Sequence, residues 1–208
     1  MTLAVIAKAP VAGRVKTRLT PPCTPEQAAA LAEAALRDTL DAVRATPAAR
    51  RVVVLDGAPG PWLGAGFDVI AQRGAGLDER LAAAFDDVGG PTFLVGMDTP
   101  QVTPALLAAG LRALDDAPAS LGLSTDGGYW GIGFAAPDAA ALIGVPMSVD
   151  DTGAAQRARL IERGLTPTEL PLLTDVDDIA TARLVAGQIP GSRFAAALRA
   201  AGLAEVAA

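Results

Sequence analysis

Short, almost purely apolar runs alternate with longer stretches of helical periodicity along nearly all of this chain, and that alternation constrains the fold more than any other feature. The apolar runs fall at 2–7, 51–55, 67–71, 92–96, 120–123 and 129–135. The helical patterns fall at 24–45, 77–88, 103–115, 152–163, 179–186 and 192–201. Strands that are apolar on both faces and separated by helices predict a mostly parallel sheet covered on both sides. The expected class is therefore α/β, a Rossmann-like sandwich with a central sheet between helices. Local signals agree. Thr24-Pro25-Glu26-Gln27 reads as a capping box with proline at the first helical position, and Thr103-Pro104 opens a helix the same way.

A chain of 208 residues with 51% hydrophobic content can bury one sizeable α/β core. A single domain over 1–208 is expected. The Gly/Pro-rich stretch at 56–66 reads as a loop rather than a linker, the abundant alanine as helix filler, and the apolar C-terminal helix at 194–206 as packing on its own domain. The first apolar run is short and stops at Lys8, and no stretch approaches roughly 18 apolar residues. A soluble cytoplasmic protein with no membrane span follows as an expectation. A net charge of −6 argues against nucleic acid as a partner. The chain has no histidine, which excludes Ser-His-Asp hydrolysis and His-ligated metal. The lone Cys23 cannot form an internal disulfide. Chemistry must come from carboxylates, Lys/Arg, hydroxyls and a hard cation.

In open α/β sheets, ligands bind beyond the carboxyl ends of the strands. After the first strand comes a cationic loop containing Lys8, Pro10, Gly13, Arg14, Lys16 and Arg18, set in an acidic protein. Such a loop between strand and helix suits phosphate, with Gly13 allowing close backbone approach. It is neither a Walker A loop nor a Gly-x-Gly-x-x-Gly fingerprint. After the fourth strand stands Asp98, which can hold a divalent cation bridging phosphates or cap a turn. After the fifth comes Asp126-Gly127-Gly128-Tyr129, open to reading as a ligand-lining segment or a hairpin turn. Asp175-Val176-Asp177-Asp178 can supply metal ligands or a helix cap, and Asp150-Asp151 reads as a cap.

The ordered set Lys8-x-Pro10-x-x-Gly13-x-x-Lys16-Thr17-Arg18-Leu19, Gln72-x-Gly74-x-Gly76-Leu77-x-x-Arg80, Gly96-x-Asp98-x-Pro100, Asp126-Gly127-Gly128-Tyr129 and Asp175-Val176-Asp177 resembles a bacterial family of small GT-A-fold proteins. These are glycosyltransferases or nucleotide-diphospho-sugar transferases, some of the radical-SAM and seleno-domain-associated type. The resemblance implies a metal-dependent transferase with a nucleotide-diphospho-sugar donor, an acceptor it does not specify, and Mg2+ or Mn2+ as cofactor. It implies that Lys8 through Arg18 hold the phosphates, that Gln72 and the Gly74 turn approach base or ribose, and that Arg80 supports that turn. Asp98 would bind metal, with Asp175 or Asp177 completing the shell. Asp126, Gly127, Gly128 and Tyr129 would line the donor-sugar or acceptor side, with Asp126 as acceptor base. No Asp-x-Asp pair is present, and Gln101 stands where many relatives carry an acid. Two further readings stay open: a guanylyltransferase-like nucleotidyltransferase using a nucleoside triphosphate, and a non-catalytic nucleotide-binding module.

Overall fold

A computed structural model describes residues 1–204. Seven strands form one sheet: β1 (Thr2–Lys8), β2 (Arg50–Asp56), β3 (Asp68–Ala71), β4 (Thr92–Gly96), β5 (Ala119–Ser124), β6 (Tyr129–Phe134) and β7 (Pro167–Leu173). Their order across the sheet is β3-β2-β1-β4-β6-β5-β7. Among these strands β6 alone runs against the others, pairing antiparallel with both β4 and β5. The other pairs are parallel. The helices are α1 (Pro25–Ala45), α2 (Leu77–Val88), α3 (Pro104–Asp116), α4 (Thr152–Glu162), α5 (Ile179–Gln188) and α6 (Arg193–Ala200).

The period-2 geometry of strands sorts the apolar runs onto two faces. Leu3, Val5 and Ala7 of β1, Val53 and Leu55 of β2, and Phe93 and Val95 of β4 pack with Leu36, Leu40 and Val43 of α1 and Leu107 and Leu111 of α3. The alternate residues Ala4, Val52, Val54 and Leu94 pack with Leu81 and Phe85 of α2 and Leu160 of α4. A third cluster lies outside the sheet sandwich. Ala28, Leu31 and Ala35, on the far side of α1, meet Val185 of α5 and Phe194 and Leu198 of α6. Helix α1 is thus buried on two sides, so its alanines permit close approach of neighbours rather than filling turns. Helix α6 is tied to α1 by Arg193, which pairs with Asp38 and Asp41. Residues 205 and 206, at the end of the expected C-terminal helix, lie outside the described residues.

Thr24 and Gln27 form the capping box at the start of α1, and Thr103 accepts the Leu106 N–H at the start of α3. Cys23 is buried and free. Strand β7 is absent from the sequence reading, and its position explains why. It is a sheet edge carrying Pro167, Glu169 and Pro171, with most side chains exposed. An edge strand tolerates proline and needs no continuous apolar run. The indole N–H of Trp130 donates to the Pro171 carbonyl at 2.9 Å, which fixes β7 against the rest of the sheet.

Candidate active site

A pocket of about 590 Å3 opens at the carboxyl ends of β1 and β4 and the tip of the β5–β6 hairpin. Three cations line it, Lys8, Arg18 and Arg80, together with five carboxylates, Asp98, Asp126, Asp150, Asp175 and Asp177. Its floor is apolar, from Ile6, Leu94, Met97, Tyr129 and Trp130. An unaccompanied anion entering this pocket meets an excess of like charge.

The loop after β1 positions its cations in three different ways. Lys8 ends the strand, with its N–H on the Met97 sulfur and its Nζ 3.8 Å from Asp56 Oδ2. Pro10 and Gly13 shape the turn without lining the pocket, and Gly13 has φ +74°. Arg14 stands apart, in a separate cleft of about 60 Å3 shared with Lys8 and Asp56. Lys16 folds inward from a left-handed backbone (φ 49°), its Nζ 2.7 Å from Asp98 Oδ1 and donating also to the Val176 carbonyl. Arg18 Nη1 lies 2.6 Å from Asp177 Oδ2 at the exposed rim. Three of these cations therefore meet carboxylates from other parts of the chain, Lys8 at the end of β2 and Lys16 and Arg18 in other loops.

At the β3 side, Gln72 Nε2 donates to the carbonyls of Ala7 (2.8 Å) and Val54 (3.1 Å), bracing the ends of β1 and β2 while the side chain faces the pocket. Gly74 lies behind this wall at φ +119°, and Arg80 Nε donates to its carbonyl at 3.2 Å. Arg80 Nη1 also reaches Asp56 Oδ2 at 3.2 Å. Asp56 went unread in the sequence, although it follows β2 as Asp98 follows β4. The strand-end rule that singled out Asp98 would have found it.

The Asp126-Gly127-Gly128 segment is the hairpin turn between β5 and β6. Asp126 Oδ1 accepts the Gly128 N–H at 2.8 Å, which holds the carboxylate toward the pocket. Gly127 does not line the pocket. At φ +87° it is pressed against the Asp150 backbone, and a Cβ there would collide with the Asp150 carbonyl. Its own carbonyl accepts the Gly153 N–H at 2.7 Å, joining the turn to the start of α4. The Tyr129 hydroxyl sits 3.5 Å from Gln156 Oε1, and burial holds its pKa well above the ordinary tyrosine value.

The acidic runs separate by role. Asp178 caps α5 reciprocally with Thr181, and the Thr181 N–H holds its carboxyl below the usual range. Asp175 and Asp177 face the pocket instead. Burial, reinforced by the charge of Asp126, pushes the Asp175 carboxyl up to about 6. Asp151 occupies the N-cap position of α4 without a side-chain cap bond, and Asp150 lines the pocket, so the cap reading of that pair is corrected. Among the described residues, no three carboxylates gather closely enough to form a ready-made metal cage.

A mostly parallel sheet between helices, with this pocket at its strand ends, defines an α/β protein built like the nucleotidyl and sugar-nucleotide transferases. The crystal structure of a candidate nucleotide-diphospho-sugar transferase from Desulfovibrio desulfuricans G20 superposes with a TM-score of 0.86 at 25% identity, covering 96% of this chain and 94% of that one. A CMP:2-keto-3-deoxy-manno-octonic acid synthetase complexed with CTP shares the fold at a TM-score of 0.57 and 14% identity, covering 91% and 98%. Rv0371c of Mycobacterium tuberculosis H37Rv, in complex with manganese, does so at 0.54 and 22%, covering 88% and 96%. No curated protein matches the chain significantly. The chain belongs to the bacterial family DUF2064, described as an uncharacterized protein conserved in bacteria, which matches residues 30–149. That span includes Gln72, Asp98 and Asp126 and leaves the cationic loop and Asp175–Asp177 outside. No helix among the described residues is long and apolar enough to cross a membrane.

Proposed function

We propose that this chain is a transferase using a nucleotide-diphospho-sugar donor, with a divalent cation, Mg2+ or Mn2+, accompanying the diphosphate. The observation that carries the reading is the composition of the pocket. Phosphate-competent cations and an excess of carboxylates share one cavity at the strand ends. A diphosphate alone would be repelled there, and a diphosphate bound to a hard cation would not. The all-oxygen donor set suits such a cation. Mg2+ is commonly held by one or two carboxylates plus substrate phosphates, which is a set this pocket can supply.

In this reading Asp98, with Asp175 or Asp177, would hold the cation, which would supply positive charge against a diphosphate. Lys8 and Arg18 face the phosphates. Gln72 and Arg80, with the Gly74 turn behind them, form the wall against base and ribose. The hairpin from Asp126 to Tyr129 faces sugar and acceptor. With no histidine in the chain, Asp126 takes the acceptor's proton as the acceptor atom bonds to the anomeric carbon and the bond from that carbon to the diphosphate oxygen breaks. The leaving diphosphate carries its charge toward Arg18.

The test is thermal denaturation against nucleoside diphosphates, their sugar conjugates and nucleoside triphosphates, with and without Mn2+ or Mg2+. Metal-dependent stabilisation by one diphosphate and its sugar conjugates is expected, about 2.7 kcal/mol at a hundredfold excess over Kd. Asp98→Asn should lose the metal-dependent part. A preference for a triphosphate, with pyrophosphate released on turnover, overturns the sugar-donor reading in favour of nucleotidyl transfer. Binding without turnover of any sugar conjugate points to a non-catalytic nucleotide-binding module. No shift with any nucleotide removes the phosphate site altogether.

A further inference from the structure

The chain carries 17 lysines and arginines, and only two of them, Lys8 and Lys16, are lysines. Both belong to the loop at the pocket. Lys8 is half exposed and faces the cavity. Lys16 is different. Its side chain is only 9% exposed, yet its ammonium sits 2.7 Å from a carboxylate that is 49% exposed. One side of Asp98 is thus closed by an internal cation and the other opens to the pocket. Lys16 donates to the Val176 carbonyl as well, and the Val176 N–H donates to the Asp98 carbonyl oxygen at 2.8 Å. The ammonium therefore joins the loop after β4 to the loop carrying Asp175 and Asp177. This geometry is held from a left-handed backbone at a non-glycine residue, which costs roughly 1–2 kcal/mol and persists only where contacts offset it.

We propose that Lys16 is a built-in counter-ion of Asp98, which a divalent cation displaces, so that cation and diphosphate bind this pocket with positive coupling. The inference rests on the preceding reading of the pocket as a cation-plus-diphosphate site. An ammonium 2.7 Å from one oxygen of Asp98 repels a divalent cation that takes the same carboxylate from the pocket side, so each weakens the other's hold on it. When the cation takes Asp98, Lys16 loses its charged partner and becomes available to an anion, and a diphosphate supplies one. The converse follows from linkage: an anion that draws Lys16 away bares Asp98 for the cation. Arg18 and Asp177 repeat the arrangement at the rim, where the guanidinium is 69% exposed and released at little cost. Lysine suits an exchanging role better than arginine, being a compact point charge rather than a two-pronged fork.

The test uses Mn2+ alone, titrated into metal-free protein and followed by water-proton relaxation, which reports protein-bound Mn2+ without turnover. Lys16→Met is expected to bind Mn2+ about tenfold more tightly than the unmodified chain, within the usual range of coupling between sites. Lys16→Arg keeps the charge and should keep the weaker affinity. Equal affinity in the unmodified chain and Lys16→Met, or weaker binding in the variant, overturns the counter-ion while leaving the cation in place. Binding to neither overturns both, while stabilisation by diphosphates remains a separate result. Should Lys16→Met fail to fold, 1H–15N spectra of the unmodified chain decide. Its two lysines give two ammonium signals. The one protected from exchange is expected to lose protection on saturation with Mg2+ and inorganic pyrophosphate, and persistent protection overturns the proposal.

Discussion

Replacing Gly127 by alanine puts one methyl group into the tightest backbone contact at the pocket. The backbone there has φ +87°, so alanine accepts left-handed strain of roughly 1–2 kcal/mol. The methyl then meets the Asp150 carbonyl and carbon, which are main chain and cannot rotate aside. Relief requires the hairpin and the 150 segment to part, which breaks the 2.7 Å bond from Gly153 N–H to Gly127 carbonyl. That bond contributes about 1 kcal/mol, and forced repacking adds about 1–3 kcal/mol. Gly13 supplies the control: its φ is +74°, and nothing lies within 4 Å of a Cβ built on it. Gly13→Ala should therefore show the backbone strain alone. The difference between the variants comes to about 2–4 kcal/mol, or about 4–16 °C in Tm for a chain of this size. Thermal and urea denaturation of both variants measure it. Melting temperatures that agree within about 2 °C would refute the claim that main-chain contact, rather than the sign of φ, makes Gly127 indispensable.

Three further outcomes are expected. Asp175 has a native pKa near 6 against about 4 when unfolded, so the native state binds its proton more tightly. Its contribution therefore favours folding at low pH and is lost as pH rises from about 4 to 6. Asp175→Asn should raise Tm relative to the unmodified chain above pH 6 and converge with it below about pH 4, measured in chelated buffer; a lower Tm at pH 8 would contradict this. Asp178→Ala removes the α5 cap and should cost about 1 kcal/mol by urea denaturation, with the cost shrinking as pH falls through the range where the carboxylate protonates. Gly110→Ala on α3 would bring a Cβ to 2.7 Å of the buried Phe93 ring, and should destabilise by about 1–3 kcal/mol without changing nucleotide-induced stabilisation in the thermal assay.

Much of the framework was legible because its signals are local. Continuous apolar runs between helical patterns marked β1, β2 and β4, and Thr24 and Thr103 marked helix starts that the structure shows. Strand β7 was not legible, since an edge with two prolines and a glutamate carries no such run. Which of several adjacent aspartates faces the pocket was not legible either. Asp175, Asp177 and Asp178 differ only in how the chain turns into α5, and Asp150 is placed by its backbone contact with Gly127, which is distant in sequence. The partner of Lys16 was invisible for the same reason. A buried ammonium and a solvent-facing one read identically along the chain.

The single reversed strand has a consequence for how this scaffold tolerates change. Strands β1 and β4 reach the pocket with residues in their carboxyl-terminal halves, so altering those ends disturbs a strand. Because β6 begins where its neighbours finish, residues 124–129 form a closed hairpin at that rim, with both strands anchored inside the sheet. Length and side-chain identity at its tip can vary without shifting the register of β4 against β1. This stretch of the pocket rim can therefore diversify apart from the sheet, limited mainly by the two glycine contacts that seat the turn on the segment leading into α4.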